Sequence, residues 1–413
     1  MSFKDLQLNR PLLRAVAEAG YDNPTLVQEK TIPFILDKKD VIVSAQTGTG
    51  KTAAFALPIL KLLYDKQEGS KKGKKTRALI ISPTRELASQ IAENFKTYSS
   101  YTNLKTSVIF GGTSIEPQKE ILKKGVDILI GTPGRLLDLH KQDILNLDYV
   151  ETLVLDEADL MLDMGFIDDV KKIERLCPKE KQTLLFSATI PYKVEQLANS
   201  ILNEPKRIEV TQNASTSKNV SQVLYFVPKK NKIELCLHLL RNTIKGNIII
   251  FRRTKFGVDK LEKTLLKNGY KVDSIHGDKS QTLRQDALNN FKTNKVNILI
   301  ATDVAARGID INDLDAVVNF DLPNIPETYV HRIGRTARAG KSGIAYSLCS
   351  ADEKSYVIAI QQLIQIQLDV VEEHPYPLDP KAKPVVHKSK KTGSKHRKGR
   401  KSEASKKKKK RWY

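Results

Sequence analysis

The stretch "VIVSAQTGTGKTAAFALPIL" at residues 41–60 decides the fold of the first part of the chain. It reads as a β-branched strand, a glycine-rich turn and a helical pattern, which is the context of a phosphate-binding loop. The N–H groups from Gly48 to Lys51 would surround phosphate oxygens at a helix N-terminus, with Lys51 on the β- and γ-phosphates. The Thr52 hydroxyl would face Mg²⁺. The stretch therefore predicts a nucleoside triphosphate site.

One position departs from the general pattern G-x-x-x-x-G-K-[ST], because Ala45 stands where the first glycine is expected. Alanine only requires that this position avoid positive φ, so the substitution is compatible with a working loop. A glycine- and threonine-rich loop with a surface lysine would look similar, and the loop alone does not decide the function.

The same alternation of short apolar runs and longer helical patterns extends along the chain. It predicts parallel sheets with crossover helices. The apolar runs are at 40–45, 77–82, 106–110, 126–131, 152–157 and 182–188, and then at 223–227, 247–251, 271–277, 296–303, 315–321 and 343–349. A polar, turn-rich stretch separates the two sets. We expect an α/β protein with one unit at 1–205, a linker at 206–220, a second unit at 221–370 and a tail at 371–413.

Composition excludes several protein classes. The chain has 413 residues, 40% of them hydrophobic, but no run approaches the roughly 18 apolar residues of a membrane span. The opening "MSFKDLQLNRP" lacks the apolar stretch of a secretory signal, so we expect a globular, cytoplasmic protein. Cys177, Cys236 and Cys349 are widely separated, and their spacing indicates neither a disulfide framework nor a zinc site.

The net charge of +22 is concentrated at the end of the chain. Residues 381–413 contain 16 Lys and Arg against one acidic residue, Glu403, and end in "SKKKKKRWY". Such a segment is too poor in apolar residues to fold, so we expect it to be disordered. It could serve only as a solubility tail, but its charge with Trp412 and Tyr413 favours nucleic acid as a partner.

A pair of carboxylates follows the run at 152–157. Asp156 and Glu157 can place one carboxylate where Mg²⁺ is held through water and the other where it takes a proton from an attacking water. By itself the pair could be a strand end before a helix capped at Asp159. Together with the glycine-rich loop, it favours catalysis.

These residues carry a family resemblance. Asp156-Glu157-Ala158-Asp159 resembles the signature of the DEAD-box family of ATP-dependent RNA helicases, and "AQTGTGKT" is similar to that family's phosphate loop, in which alanine comes first. The match runs from Phe3 to about residue 350 and is closest to the bacterial RhlE-type subfamily. The resemblance implies two tandem RecA-like domains.

The resemblance also implies an ATP site and its coupling segment. "GYDNPTLVQ" at 20–28 resembles the adenine-reading segment, in which the Gln28 amide would recognise the base and Tyr21 would cover it. "SAT" at Ser187, Ala188 and Thr189 resembles the segment that couples hydrolysis to strand separation. Asp310 would bind the ribose, and Thr52, Asp156 and Glu157 would hold Mg²⁺, partly through water. The implied ATP-binding residues are Phe3, Tyr21, Gln28, Gln46, Thr47, Gly48, Thr49, Gly50, Lys51, Thr52, Gly308 and Asp310.

In the second unit, "HRIGRTARAG" at 331–340 resembles the family's arginine-finger segment. Arg335 and Arg338 are implied to meet the γ-phosphate, because guanidinium groups are planar donors that stay charged. His331 is grouped with them as a catalytic residue. Ala337 replaces the usual glycine, a small change that we expect to be tolerated. Since the fingers and the loop lie in different units, hydrolysis should require the two units to close on each other.

The remaining matches imply RNA contacts, from hydroxyls, helix-start N–H groups and arginines that suit phosphates and sugars rather than base edges. The implied residues are Pro83, Thr84, Arg85, Gly111, Gly112, Thr132, Pro133, Gly134, Arg135, Arg253, Thr254, Gln281, Arg284, Thr302, Asp303 and Arg307. "FRRTK" at 251–255 has one arginine more than many members. Binding should be independent of sequence, and 2′-hydroxyl contacts would separate RNA from DNA.

The resemblance implies RNA-stimulated ATP hydrolysis with ATP and Mg²⁺, coupled to local, non-processive unwinding of short duplexes or to remodelling of RNA–protein complexes. Ribosome-assembly or RNA-decay proteins are possible partners, and no membrane is expected. Three alternatives differ in class: an RNA chaperone that acts through its tail, a scaffold with an inactive site, and a DNA helicase. Removal of the residues after about 380 tests the first alternative, and RNA against DNA stimulation of ATP hydrolysis tests the third. The intact Lys51, Asp156, Glu157, Arg335 and Arg338 argue against the second.

Overall fold

The computed structural model describes residues 1–46, 48–66, 75–210, 220–306, 309, 311, 314–336 and 343–379. Over these residues the chain forms two domains, each with one seven-stranded sheet. Residues 67–74, residues 211–219 of the predicted linker and residues 380–413 of the predicted tail lie outside the described residues.

Every described strand pair in both sheets is parallel. The first sheet contains β1 (Val41–Ala45), β2 (Ala78–Ile81), β3 (Thr106–Ile109), β4 (Ile128–Gly131), β5 (Thr152–Asp156), β6 (Gln182–Ser187) and β7 (Lys206–Val210). The second contains β8 (Val220–Phe226), β9 (Ile248–Phe251), β10 (Val272–Ile275), β11 (Ile298–Ala301), β12 (Ala316–Asn319), β13 (Gly343–Cys349) and β14 (Asp369–Val370). The prediction of two α/β units with parallel sheets is confirmed.

Helices connect most of the strands, as parallel pairing requires. In the first domain they are α1 (Arg10–Glu18), α2 (Leu26–Leu36), α3 (Lys51–Asp65), α4 (Arg85–Tyr98), α5 (Glu116–Lys124), α6 (Pro133–Lys141), α7 (Ala158–Asp163), α8 (Ile167–Leu176) and α9 (Tyr192–Ile201). In the second they are α10 (Lys232–Asn242), α11 (Lys255–Lys267), α12 (Gln281–Lys292), α13 (Asp303–Ala306), α14 (Pro326–Ile333) and α15 (Lys354–Ile364). Short 3₁₀ turns lie at Phe3–Leu6, Lys229–Asn231 and Ala351–Glu353.

The two sheets have the same topology. The first has the order β3-β4-β2-β5-β6-β1-β7, and the second has the order β10-β11-β9-β12-β13-β8-β14. Each strand of the first sheet therefore has a counterpart in the second, with β1 matching β8 and β5 matching β12. Residues that follow matching strands can be compared directly.

Both faces of each sheet are covered, which explains the continuous apolar runs in the sequence. Along β2, Ala78 and Ile80 face one core of the first domain, while Leu79 and Ile81 face the other. The same alternation occurs in the second domain along Ile248–Phe251. Helices on both faces hold the strand ends fixed, so the loops at the carboxyl ends of the strands have a rigid base.

Part of the predicted linker is an edge strand. Lys206–Val210 pairs with β1 in the register Val41↔Lys206, and Ile208 and Val210 are buried. Upstream, the Asp40 carboxylate accepts the N–H groups of Thr183 and Asn203 at 2.7 Å each. The first sheet thus extends to Val210, although the run is too polar to be recognised as a strand.

The three cysteines are buried and form no disulfide. Burial raises the pKa of each thiol to about 12, so these thiols are poor nucleophiles. The described part of the chain contains no group of three or more His, Cys, Asp and Glu side chains arranged for a metal. It also contains no helix whose length and apolarity would let it cross a membrane.

Candidate functional site: a nucleotide cleft beside an interdomain interface

The glycine-rich loop joins β1 to α3 at the carboxyl edge of the first sheet. Gly48 and Gly50 have φ of 83° and 92°, in the left-handed region that glycine adopts without strain. A side chain at Gly50 would also collide with the amide of Gln28. The sequence therefore needs glycine here for two reasons, conformation and space.

Residues from the start of α2 support this loop. The Thr25 hydroxyl donates to the Thr49 carbonyl at 2.8 Å, and the Gln28 amide donates to the Gly50 carbonyl at 3.2 Å. The other end of that amide, Oε1, accepts the Thr25 N–H at 2.9 Å. An amide has two N–H donors and two acceptor sites, so Gln28 retains one of each for a ligand. Gln28 links the outer end of the cleft to the phosphate loop.

A buried cluster of charges lies at the base of the cleft. The Lys51 ammonium is 2.9 Å from Glu157 Oε1, and Lys51, Asp156 and Glu157 are all less than 10% exposed. Burial acts to lower the pKa of Lys51, but the nearby Glu157 and Asp156 carboxylates outweigh it, and the pKa is raised. Burial and the charge of Glu157 raise the pKa of Asp156 to about 7. The arrangement favours a cation beside Asp156.

Glu157 has a backbone conformation that is unusual for its residue type. Its φ of 58° and ψ of 55° lie in the left-handed region, where it precedes α7. A non-glycine residue held there costs on the order of 1–3 kcal/mol, and such strain is concentrated at functional sites. The turn directs the Glu157 side chain to Lys51 rather than along the next helix.

Asp159 connects the carboxylate turn to the segment at 187–189. Its Oδ2 accepts both the N–H and the hydroxyl of Thr189, each at 3.0 Å. Its own N–H donates to the Ser187 hydroxyl at 3.0 Å, and that hydroxyl donates to the Thr189 carbonyl. Residues 156–159 and 187–189 are therefore joined by direct hydrogen bonds.

The cleft above these groups has a volume of about 420 Å³. It extends from Lys51 past Gln28 to a pair of tyrosines, Tyr21 and Tyr98, whose hydroxyls are 3.4 Å apart. Lys292, at the end of α12 in the second domain, lines the same cleft. The cleft is thus bounded by both domains.

Glu86 links the two domains directly. It follows Arg85 at the start of α4 and is 2% exposed. Its Oε1 accepts the Gln281 amide at 2.8 Å, and its Oε2 is 2.9 Å from the Arg284 guanidinium. Both partners are on the first turn of α12. This charged contact joins two stretches, one in each domain, that the sequence analysis independently predicts to contact RNA.

Comparison with known proteins gives a consistent result. A family model described as DEAD/DEAH box helicase matches residues 25–197, and one described as helicase conserved C-terminal domain matches 231–340. The DEAD-box ATP-dependent RNA helicase RhpA of Helicobacter pylori is 42% identical over 90% of this chain and 74% of its own length. The DEAD-box helicase CshA of Geobacillus kaustophilus is 43% identical over 85% and 74%.

The chain belongs to the DEAD-box family of ATP-dependent RNA helicases.

A solved structure supports the fold of this helicase. Saccharomyces cerevisiae Dbp5 bound to RNA and ADP BeF3 matches with a TM-score of 0.79 and 32% identity, over 90% of this chain and 95% of that one. The RecA-like architecture predicted from the resemblance is confirmed, and the protein is an RNA helicase with ATPase activity.

Most of the predicted ATP residues of the helicase gather at one cleft. Its lining includes Tyr21, Gln28, Gly48, Gly50, Lys51, Thr52, Asp156 and Glu157. The Thr49 hydroxyl instead donates to the Gln46 carbonyl at 2.7 Å and so stabilises the loop. Phe3 is 5% exposed and belongs to the core with Leu6 and Val27. Thr47, Gly308 and Asp310 lie outside the described residues.

The predicted RNA residues of the first domain lie together at the carboxyl ends of β2, β3 and β4, which are neighbours in the sheet. Gly112 has φ of 73°, and a side chain there would collide with the Arg85 guanidinium. Arg135 donates to the Thr113 carbonyl at 3.1 Å, while its Nη1 is buried without a partner among the described residues. These placements concern Pro83, Thr84, Arg85, Gly111, Gly112, Thr132, Pro133, Gly134 and Arg135.

In the second domain, several predicted RNA residues contact other protein groups. The Arg253 guanidinium is 2.9 Å from Glu353 and donates to the Leu322 carbonyl at 2.8 Å. Asp303 forms a bidentate pair with Arg332, at 2.6 and 2.8 Å. Thr254 caps α11 by accepting the Gly257 N–H at 3.1 Å. Thr302 follows β11 beside Asp303, and Arg307 lies outside the described residues.

Of the two arginine-finger candidates, Arg335 is the one within the described residues, and it is buried. Arg335 is 6% exposed and donates to the Ile309 carbonyl at 2.6 Å, and His331 lies one helical turn earlier on α14. Arg338 lies outside the described residues. The sequence analysis missed Glu86, Tyr98, Lys292 and Arg332. Arg332 is adjacent to His331 in the matched segment, whereas Tyr98 and Lys292 are at helix ends that carry no motif.

Proposed function

We propose that this helicase hydrolyses ATP with groups from both domains, and that RNA stimulates hydrolysis by binding across them. The observation that carries the proposal is the cluster at the base of the cleft, in which Lys51 and Glu157 are paired 2.9 Å apart beside the phosphate loop. A buried lysine–carboxylate pair next to a glycine-rich turn suits a triphosphate and its attacking water.

The roles of Lys51 and Glu157 follow from what a triphosphate would change. Phosphate oxygens at the loop would attract the Lys51 ammonium, and its contact with Glu157 would then weaken. Glu157 would be free to accept a proton from a water at the γ-phosphate, while Lys51 balances charge on the phosphates.

Mg²⁺ fits the remaining oxygen ligands. Asp156 Oδ1 is buried and has no hydrogen-bond partner among the described residues, and Thr52 lines the same cleft. Hard oxygen donors with retained waters are what this ion prefers. When bound it would neutralise charge on the β- and γ-phosphates. Asp156, Thr52 and, through water, Glu157 would hold it.

The second domain is proposed to complete the site. Arg335 and Arg338 would stabilise charge on the γ-phosphate, with His331 beside them. Asp310 and Gly308 would contact the ribose, Tyr21 and Gln28 would act at the base, and Gln46 and Thr47 would act in the phosphate loop, whereas the burial of Phe3 in the core leaves it a supporting role. The Glu86 contact with Gln281 and Arg284 supports this view, because it brings the second domain to the edge of the ATP cleft.

RNA is proposed to lie across the carboxyl edges of both sheets. In the first domain the contacts would come from the loops around Arg85, Gly112 and Arg135. In the second they would come from N–H groups and hydroxyls near Thr254 and Thr302 more than from Arg253, whose guanidinium is held by Glu353. Contacts to sugars and phosphates make binding independent of sequence.

We place the protein in the RhlE-type subfamily and in the cytoplasm, with ribosome-assembly or RNA-decay proteins as partners. The proposed domains are 1–205 and 221–370, and they are joined by a linker at 206–220. Within that linker, Lys206–Val210 forms β7 of the first sheet. The tail at 371–413 is proposed to bind RNA through its charge.

The test is ATP binding and hydrolysis by an Arg338→Gln variant. The expected result is unchanged ATP binding without RNA and a loss of RNA-stimulated hydrolysis of at least about 100-fold, because a γ-phosphate guanidinium is worth several orders of magnitude in phosphoryl transfer. Arg241→Gln, an exposed position of the same domain, is the control. Equal RNA-stimulated rates in the two variants would contradict the proposal.

A further inference from the structure

Helix α11 divides its charges between two sides. Residues at i, i+4, i+7 and i+11 lie within about 60° on a helix, since each residue turns by about 100°. Phe256, Lys260, Lys263 and Lys267 have this spacing, and all four are exposed. We call them the α11 stripe. The opposite side of the helix carries Val258, Leu261 and Leu265, which are buried in the core.

The acidic residues of the helix face another way. Asp259 is 2.8 Å from His276, and Glu262 is 3.0 Å from Lys279. Both partners belong to the loop that precedes α12, so these contacts hold the two carboxylates at one flank. Since no ion pair is seen for Lys260, Lys263 or Lys267 among the described residues, the stripe presents uncompensated positive charge.

An exposed aromatic ring heads the stripe. Phe256 is 75% exposed and is the second residue of α11, just after the loop at 252–254. The Lys255 ammonium is 5.4 Å from the ring centroid and 2.5 Å from Asp278. A phenylalanine this exposed gains nothing from the core of its own domain. It is available for stacking.

The arginines of the preceding loop point the other way. Arg252 lies over the Phe320 ring at 4.0 Å and pairs with Asp321 at 3.0 Å. Arg253 lies over the Tyr356 ring at 5.5 Å and pairs with Glu353. Both guanidinium groups are thus paired within the domain, although the Arg253 side chain is 42% exposed, and Phe256 and the lysines of the α11 stripe form the rest of the outward surface here.

We propose that the α11 stripe is an additional binding surface for single-stranded RNA that continues past the core site. A base would stack on Phe256, and the phosphates that follow would contact Lys260, Lys263 and Lys267. Proteins that bind single strands without sequence preference combine stacking rings with a positive track in this way. The stripe is about 16 Å long, which suffices for several nucleotides. This proposal rests on the proposed RNA path across Thr254.

The test uses the full chain with a non-hydrolysable ATP analogue and two single-stranded RNAs. The short RNA is the shortest that fully stimulates ATP hydrolysis, and the long RNA is about twice that length. Phe256→Ala is expected to weaken long-RNA binding about tenfold, because stacking of one base is worth 1–3 kcal/mol. Phe256→Trp is expected to retain it. Short-RNA binding and the rate of ATP hydrolysis with short RNA should not change.

A variant of the three lysines tests the electrostatic part of the proposal. Lys260→Gln/Lys263→Gln/Lys267→Gln should reduce the salt dependence of long-RNA affinity, by about 0.7 in log–log slope for each phosphate that is no longer neutralised. The charge-matched control is Lys38→Gln/Lys39→Gln/Lys141→Gln, three exposed lysines of the first domain.

The stripe and the core site would fail in different ways in these experiments. Equal long-RNA affinity and slope in the stripe and control variants would overturn the inference, and an acidic protein would then be the better occupant of the stripe. If no single-stranded RNA of any tested length stimulated ATP hydrolysis by the wild-type protein, the proposed function itself would fail. The basic tail is common to all variants and cancels when they are compared.

Discussion

The two domains share one topology but use the same position for opposite purposes. After β1, Lys51 begins α3 and pairs with Glu157, which follows β5. After the matching strand β8, Lys232 begins α10 and lies 3.8 Å from Asp321, which follows the matching strand β12. Lys232 is also 2.5 Å from Glu353 and donates to the Phe320 carbonyl at 2.8 Å. A lysine–carboxylate pair therefore occurs at the same place in both halves.

The difference lies in what surrounds each pair. The Lys51–Glu157 pair lies at the base of a cleft of about 420 Å³, beside the glycine-rich loop. The second is preceded by "VPKKN", has no such loop, and is covered by Arg252 and Arg253. We infer that the left-handed turn at Gly48 and Gly50 creates the nucleotide site, and that the lysine–carboxylate pair without it becomes a structural ion cluster.

The strongest test of this contrast is at Glu157. Glu157→Gln should reduce RNA-stimulated kcat by about 1000-fold, because a general base contributes 10²–10⁴. ATP and RNA binding should persist, since the amide keeps the shape of the side chain. Steady-state hydrolysis and nucleotide binding on one preparation measure both. A variant with normal turnover would remove Glu157 from the role of base.

The matching change in the second domain should affect stability instead. Lys232→Met leaves Glu353 buried without its ammonium partner and should cost about 3 kcal/mol in the free energy of unfolding of the second domain. Hydrogen exchange of the second sheet in the full chain measures this domain separately. ATP binding by the first domain should not change.

The control for that variant is Lys123→Met, which removes an exposed pair with Glu120 and should cost less than about 0.5 kcal/mol. If Lys232→Met weakened ATP binding while the amides of the second sheet stayed protected from hydrogen exchange, the two domains would be functionally more alike than we infer.

A third test concerns the loop itself. Gly50→Ala should raise the KM for ATP about tenfold, because φ of 92° disfavours alanine and its Cβ would displace the Gln28 amide. Gly269→Ala is matched in φ, at 81°, but has open space around it, so only a small loss of stability is expected there. Equal KM values for the two variants would show that the Gln28 contact is dispensable.

The smallest effect is expected at the contact between the halves. Glu86→Gln should weaken the pair with Arg284 and raise the RNA concentration for half-maximal stimulation about fivefold, since charge-assisted contacts are worth about 1–3 kcal/mol. The swap Glu86→Arg with Arg284→Glu should recover part of the loss. If neither variant changed this RNA concentration, the contact between Glu86 and Arg284 would play no part in domain closure.

The sequence predicts the strands well where they are apolar and buried on both faces, as at 152–157 and 247–251. It does not predict β7 or β14, because edge strands such as "KRIEV" carry charge on the open side and resemble linkers. The ATP site is predicted because the residues that carry it are close together in the loop and in Asp156–Asp159. Predictions that fall on Thr47, Arg307, Gly308, Asp310 and Arg338 lie outside the described residues.

Interactions between distant residues are what the sequence hides. Lys232 and Glu353 are 121 positions apart, and nothing in "KNKIEL" or "SADEKS" indicates that they meet. The same is true of Glu86 and Gln281, which are 195 positions apart. The pairing of Arg253 with Glu353 depends on the first of these clusters, so a role of its side chain in RNA binding looks natural in the sequence and is constrained in the structure.

The most direct test of the central claim, that one half holds ATP and both are needed for hydrolysis, is the ATP hydrolysis rate of the purified protein. It is measured without nucleic acid, with single-stranded RNA and with single-stranded DNA of the same sequence, at one stated salt concentration. We predict strong stimulation by RNA alone. A rate without RNA equal to the rate with it would contradict a site that is completed by RNA-driven closure.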